Sequence, residues 1–151
     1  MNSKYFKNND ENEFKFLQEL QIKLKDFYEM LFIKKINYCK SFIDFVILNE
    51  NNGIVCYLEL KSLKKSIDKD FHIINITKIQ KILQYYKNSI VIFDYRSTGG
   101  ELYYIEINDN FLYFDTDIIL QQPVYKIPIS KTKIGIENLL DDLILKLIIK
   151  N

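Results

Sequence analysis

Residues 42–62 constrain the fold of this chain more tightly than any other stretch. Residues 42–48 are aromatic and branched aliphatic apart from one carboxylate, Asp44, and they read as a strand. Asn49-Glu50-Asn51-Asn52-Gly53 has the composition of a turn closed by glycine. Residues 54–62 then resume a strand pattern, so the whole reads as a β-hairpin. Side chains alternate along a strand. Ile54, Cys56, Leu58 and Leu60 therefore form one apolar face, and Val55, Tyr57, Glu59 and Lys61 the other. The hairpin sets Asp44 on one strand beside Glu59 and Lys61 on its neighbour.

Around this hairpin the periodicity predicts helices. Phe14, Leu17, Leu20, Leu24, Phe27 and Leu31 recur at helical spacing, and Asp10 with Glu13 reads as a capping box that starts the helix. Lys34 and Lys35 fall in a short connection. Residues 64–70 read as a polar loop containing Lys64 and Lys65, with His72 just beyond as a loop residue, and residues 75–86 as a helix. Residues 89–95 and 102–107 are expected as strands, separated by a turn at Ser97-Thr98-Gly99-Gly100. Phe111 to Phe114 is a short aromatic segment, 121–128 is irregular, and 136–149 is a closing helix. The order α-β-β-α-β-β-α implies an α/β domain, a mixed sheet flanked by helices. It spans residues 10–151, after a short flexible N-terminus over 1–9.

The chain has 151 residues, 48% of them hydrophobic, which is enough for one well-filled core. No apolar run approaches the roughly 18 residues of a membrane span. The opening Met1-Asn2-Ser3-Lys4-Tyr5 is followed by no apolar stretch of the signal-peptide kind. Two cysteines, Cys39 and Cys56, have no metal-type spacing and read as reduced thiols of a cytoplasmic protein.

Asp44 is the residue out of place. A carboxylate buried without a partner costs several kcal/mol by order of magnitude, so Lys61 or a metal ion must compensate it. Asp44 and Glu59 together would supply two hard oxygen ligands. That suits Mg²⁺, which keeps several waters and takes one or two protein carboxylates, with Mn²⁺ as a substitute. The Leu60 carbonyl is a natural third ligand. Such an ion activates water and stabilises charge on a phosphodiester, with Lys61 beside it to orient that water. Other chemistries lack their residues. There are four glycines and no phosphate-binding loop, and a single histidine, His72, supports neither a zinc hydrolase nor a Ser-His-Asp triad. The net charge of +1 gives no general attraction to nucleic acid. Lysines nevertheless cluster at Lys34 and Lys35, at Lys61, Lys64 and Lys65, and at Lys78, Lys81 and Lys87.

With Asp44 and Leu58-Glu59-Leu60-Lys61-Ser62 in view, the sequence resembles the PD-(D/E)xK nucleases, and among them the RecU family of Holliday junction resolvases. Ile43-Asp44-Phe45 and Tyr57-Leu58-Glu59-Leu60-Lys61 resemble that family's hairpin. Phe71 followed by Gln80 resembles its loop and next helix. Val91-Ile92-Phe93, Tyr103-Tyr104-Ile105, Leu112-Tyr113-Phe114 and Ile127-Pro128-Ile129-Ser130 resemble its later segments in order. The resemblance runs from about Lys34 to the end. It implies a restriction-endonuclease-like fold and a magnesium-dependent homodimer that nicks four-way DNA junctions in recombination and repair. In that reading Asp44 and Glu59 bind metal, Lys61 assists the water, and Gln80 supports the site. Glu13 is a candidate accessory acid, with Glu19 competing for that place, and Lys34, Lys35, Lys64 and Lys65 contact DNA. One departure is plain: the long stalk segment of the RecU family is here reduced to residues 34–43. This leaves two alternatives, a nuclease for another DNA substrate and a non-catalytic module that binds DNA or a recombination protein.

Overall fold

The structure is a computed structural model describing residues 3–27, 31–36, 43–63 and 70–150, with the side chains of 3–10, 26, 27 and 150 excepted. Its elements are α1 (Ser3–Phe27), β1 (Phe32–Lys35), β2 (Phe45–Leu48), β3 (Ile54–Ser62), β4 (Phe71–Asn75), α2 (Ile76–Tyr85), β5 (Ser89–Asp94), β6 (Leu102–Ile107), β7 (Asp115–Ile119), β8 (Gln122–Pro128), β9 (Lys133–Ile134) and α3 (Ile136–Lys150). Short 3-10 segments lie at Arg96–Thr98, Asp109–Tyr113 and Ile129–Lys131.

Six strands form the main sheet in the order β1-β2-β3-β5-β6-β9, and three form a smaller one in the order β4-β8-β7. The expected hairpin is present: β2 and β3 are antiparallel, with Phe45 opposite Leu58. β3 and β5 are parallel, with Glu59 opposite Val91 and Lys61 opposite Phe93. The chain between them supplies β4 and α2, as a parallel pair requires a long crossover. On one face of the main sheet, Leu20 and Leu24 of α1 and Leu139 and Leu143 of α3 pack against Phe45, Ile47, Leu58, Ile90 and Ile92. On the other face Ile79 and Ile82 of α2, with Ile74, Tyr125 and Ile127 of the small sheet, cover Val91 and Phe93. Each such buried aliphatic side chain stabilises the fold by about 1.5–3 kcal/mol.

Both faces of β3 are therefore buried, and its alternation is less regular than the sequence suggests. Ile47 is opposite Cys56 and Leu48 opposite Ile54, so Val55 is an extra residue in a bulge. The bulge brings Val55 and Cys56 into the same core. The preceding turn is organised by Asn49, whose Oδ1 accepts hydrogen bonds from the Asn51 and Gly53 N–H groups at 3.0 and 2.8 Å.

Several expectations need correction. α1 begins at Ser3, so Asp10 and Glu13 lie inside the helix and form no capping box at its start, and residues 3–9 are helical. Lys34 and Lys35 belong to β1 rather than to a connection. Asp44 stands immediately before β2, which starts at Phe45. Residues 71–75 form β4, which makes His72 a buried strand residue and not a loop residue. The segment expected to be irregular is β8, the central strand of the small sheet. The observed order thus holds more strands than α-β-β-α-β-β-α, although the mixed sheet flanked by helices stands. Cys56 is buried in the core, and Cys39 lies outside the described residues. Among the described residues no helix is long and apolar enough to cross a membrane.

Candidate active site

The site forms where β2 begins and β3 ends. Asp44 is held there by its own backbone, whose N–H donates to the Leu58 carbonyl at 3.2 Å and whose carbonyl accepts from the Ile36 N–H at 2.8 Å. Its side chain turns toward β3, and Oδ2 accepts the Leu60 N–H at 2.8 Å. Glu59 and Lys61 leave β3 on the face that looks toward α2. Asn75 caps that helix, its Oδ1 accepting the Lys78 N–H at 3.2 Å, and so fixes Lys78 in the first turn. Asp44, Glu59, Lys61 and Lys78 line one cavity of about 230 Å³, together with Glu13, Leu60, Ser62 and Leu63.

The electrostatics of this cavity are strained. Glu59 is 1% exposed. Burial, and then the neighbouring Asp44 carboxyl, push the Glu59 carboxyl well above the ordinary carboxylate range, while Lys78 pulls it back. Lys61 is held below the usual ammonium range by burial and by Lys78, and the two carboxylates oppose that shift. Lys78 Nζ lies 2.6 Å from Glu59 Oε2, an ion-pair distance. Even so, that buried oxygen receives no well-aligned hydrogen bond among the described residues. Asp44, Glu59, Lys61 and Lys78 thus share a small space, with Glu13 also in its lining, in which Glu59 is only partly compensated.

A divalent cation fits this arrangement. Among the described residues no group of three or more His, Cys, Asp and Glu side chains is placed to hold a metal, and the carboxylates that line the cavity are Asp44, Glu59 and, tied to Lys35, Glu13. That set suits an ion that retains most of its water, such as Mg²⁺, and falls short of the three or four ligands of a zinc site. The Glu59 oxygen without an aligned donor is where a cation would relieve the most unfavourable electrostatics.

Of the other candidates, Glu13 on α1 lines the cavity and pairs with Lys35 at 3.0 Å. Glu19 does not. It is gripped by Arg96, whose Nη2 and Nη1 reach its two oxygens at 2.8 and 3.0 Å, while Nε binds Asp94 Oδ1 at 2.9 Å. This fork fills a neighbouring depression that meets the cavity at Ser62. Gln80 is exposed on α2 and does not line the cavity, so the structure does not bring it to the site. Lys34 is exposed on β1, and Lys64 and Lys65 lie outside the described residues.

Sequence reasoning missed Lys78 as a site residue, placing it in a lysine cluster. The available signal was its position, three residues after a capping asparagine, in the helix that follows the Glu59–Lys61 strand. A larger hollow of about 520 Å³ lies elsewhere, lined by Tyr104, Phe111, Tyr113, Lys131, Lys133 and Asp142. Its polar groups compensate one another: Asp142 Oδ2 accepts from Tyr104 at 2.7 Å and from Lys133 at 2.9 Å.

No protein-family model and no curated protein matches the sequence. The fold is similar to a solved structure of a nuclease from a fusselovirus, with a TM-score of 0.63 and 16% sequence identity. The match covers 92% of this chain and 94% of the viral one, so the likeness extends over nearly the whole fold.

Proposed function

We propose that this protein is a Mg²⁺-dependent DNA endonuclease of the PD-(D/E)xK type, a short RecU-like resolvase that acts on four-way junctions. One observation carries the reading. Asp44, just before β2, and Glu59 and Lys61 on β3 line one small cavity in which, among the described residues, a buried carboxylate oxygen has only the Lys78 ammonium beside it. The likeness of the fold to a viral nuclease supports it.

In this reading Asp44 and Glu59 hold the cation, with main-chain oxygen at Leu60 beside them. The ion, when bound, supplies Lewis-acid stabilisation of the phosphodiester and lowers the pKa of the attacking water. Asp44 is aimed by the Leu60 N–H, which limits its rotation. Lys61, with its ammonium already destabilised by burial, orients the water and is suited to accept its proton. Glu13, tied to Lys35 at the rim, serves as an accessory acid that steadies outer-sphere water. The exposed Lys34 contributes phosphate contacts, and Lys64 and Lys65 are proposed to do the same. Symmetric cuts on both sides of a junction require two sites related by a twofold axis, hence a homodimer.

The test is cleavage of labelled four-way junctions and of linear duplex in Mg²⁺. Wild type is expected to nick the junction preferentially. Asp44→Asn should fall by more than the 10–100-fold that loss of a mere supporting partner of a metal ligand costs, by order of magnitude. If wild type and Asp44→Asn are equally inactive on every DNA tried, the enzyme reading is lost. The short 34–43 segment, too small for a stalk, favours a second reading in which the substrate is a flap or duplex site. Equal rates on junction and duplex would select it.

A further inference from the structure

Lys78 is the cavity residue that the proposed hydrolysis does not require, yet it makes the closest contact there. Its ammonium sits 2.6 Å from Glu59 Oε2, at a carboxylate proposed to hold the cation. The two partners differ in freedom. Glu59 is buried in the sheet, whereas the Lys78 side chain is 27% exposed and leaves the first turn of α2 on a flexible four-carbon stem. Lys61 occupies the same cavity without a comparable contact to Glu59 among the described residues. The site therefore carries two ammonium groups, one on the ligand oxygen and one beside it.

From this geometry, and resting on the nuclease reading above, we infer that Lys78 is an internal counter-ion that occupies the cation's place on Glu59. It must be displaced before the cation binds. An ammonium at 2.6 Å and a divalent ion on the same buried oxygen repel each other, so the two compete for it. The lysine is the mobile partner, so it is the one that leaves. Lys78 thus holds the Glu59 side chain in place while the site is empty. It also weakens cation binding, because only the fraction of molecules with Lys78 swung away is competent.

The exchange makes a prediction with an unusual sign: removing a site residue should improve cation binding. Calorimetry with Mn²⁺ alone, without DNA, is expected to show Lys78→Met binding about tenfold or more tighter than wild type, the size of the penalty removed. Lys61→Met deletes the same charge from the same cavity but leaves the Glu59 partner in place, so its gain should be several times smaller. Lys78→Gln guards against a folding defect, since it keeps a hydrogen-bond donor, and it should also bind more tightly than wild type. In parallel, the rise in Tm on adding Mn²⁺ should be larger for both Lys78 variants than for wild type. Affinities equal to wild type, or weaker, in both Lys78 variants would overturn the exchange and leave the nuclease reading intact. A gain in Lys61→Met as large as that in Lys78→Met would also overturn it, reducing the effect to general repulsion. Failure of every variant and of wild type to bind Mn²⁺ would sink the exchange and the metal-dependent reading together.

Discussion

Two buried polar groups in this molecule, His72 and Glu59, sit close to complete burial and are treated in opposite ways. His72, on β4, stacks on Phe93 at 4.4 Å, and both ring nitrogens have partners. Thr132 Oγ1 donates its own proton to the Ile129 carbonyl at 2.7 Å, so it accepts from His72 Nε2 at 3.4 Å. That leaves Nδ1 to accept from the Tyr95 hydroxyl at 2.8 Å. Burial holds the imidazole at a pKa of about 4 and therefore neutral. Glu59 instead faces another carboxyl, is pushed up by burial, and keeps an oxygen without an aligned donor. A satisfied neutral group locks the small sheet to the main one. A carboxylate left in this state is costly to the empty protein and is tolerated where a ligand is to arrive.

The sharpest way to break this contrast is Glu59→Gln. It should lower DNA cleavage by more than about 100-fold, beyond the loss expected of a supporting residue. The same change should raise the metal-free Tm at neutral and alkaline pH. The sign follows from the raised Glu59 pKa. A carboxyl whose folded pKa lies above its unfolded value contributes stability below the ordinary glutamate range, and loses it as pH rises through the folded value. Glutamine has no such loss, so the Tm advantage of the variant should be small near pH 4.5 and grow with pH. Thermal unfolding in chelator across that range measures it. A Tm below wild type at every pH would show that Glu59 is a structural ion-pair partner of Lys78 and nothing more.

His72→Ala should behave in the opposite sense. It removes a buried ring stacked on Phe93 together with its hydrogen bond to Tyr95, which cost on the order of 3 kcal/mol. The Tm should fall by several degrees, while cleavage per folded molecule stays within about twofold of wild type, since the residue lies outside the cavity. Loss of cleavage without loss of Tm would reverse the roles assigned to the two groups.

A smaller effect separates the same groups by pH. The depressed pKa of His72 means its contribution is fully present above the unfolded value of 6.5 and is lost as pH falls toward about 4. At pH 5 the wild type should have lost about 2 kcal/mol from this residue alone, from 1.4 kcal/mol per pH unit. His72→Phe should flatten that limb of the stability profile. Persistence of the full acid limb in the variant would assign it to other groups.

What could be read from the sequence divides along physical lines. The β2–β3 hairpin was legible because turn composition, strand periodicity and a misplaced carboxylate all agree there, and Asp44, Glu59 and Lys61 line one cavity at its end. β8 was not legible because Pro123 and Pro128 make it look broken. The pairing register explains their tolerance: they sit at its two ends, Pro123 paired with β7 beyond the last β4 partner and Pro128 opposite the first residue of β4. β4 was hidden because it is only five residues long and ends directly at Asn75, the residue that caps α2, with no loop between them. The Asp10–Glu13 capping box failed because α1 continues back to Ser3, which puts both residues inside the helix. Contacts between distant segments, such as Lys35 with Glu13 or Arg96 with Glu19, are set by packing and leave no local trace.

The finest test concerns which α2 residue serves the site. Sequence resemblance points to Gln80, and the structure points to Lys78. The two are neighbours on a helix but face differently: two positions are about 200° of rotation, so a helix that presents Lys78 to Glu59 turns Gln80 away. Gln80 is accordingly exposed and reaches no cavity residue among the contacts described. Gln80→Ala should change cleavage by less than about twofold and stability by less than about 0.5 kcal/mol, as for an ordinary surface position. Lys78→Ala, measured beside it, should alter both Mn²⁺ affinity and cleavage. If Gln80→Ala instead reduces cleavage tenfold or more at unchanged Tm, the helix must rotate or shift when DNA is bound. The glutamine would then act in a state of the protein that the empty fold does not display.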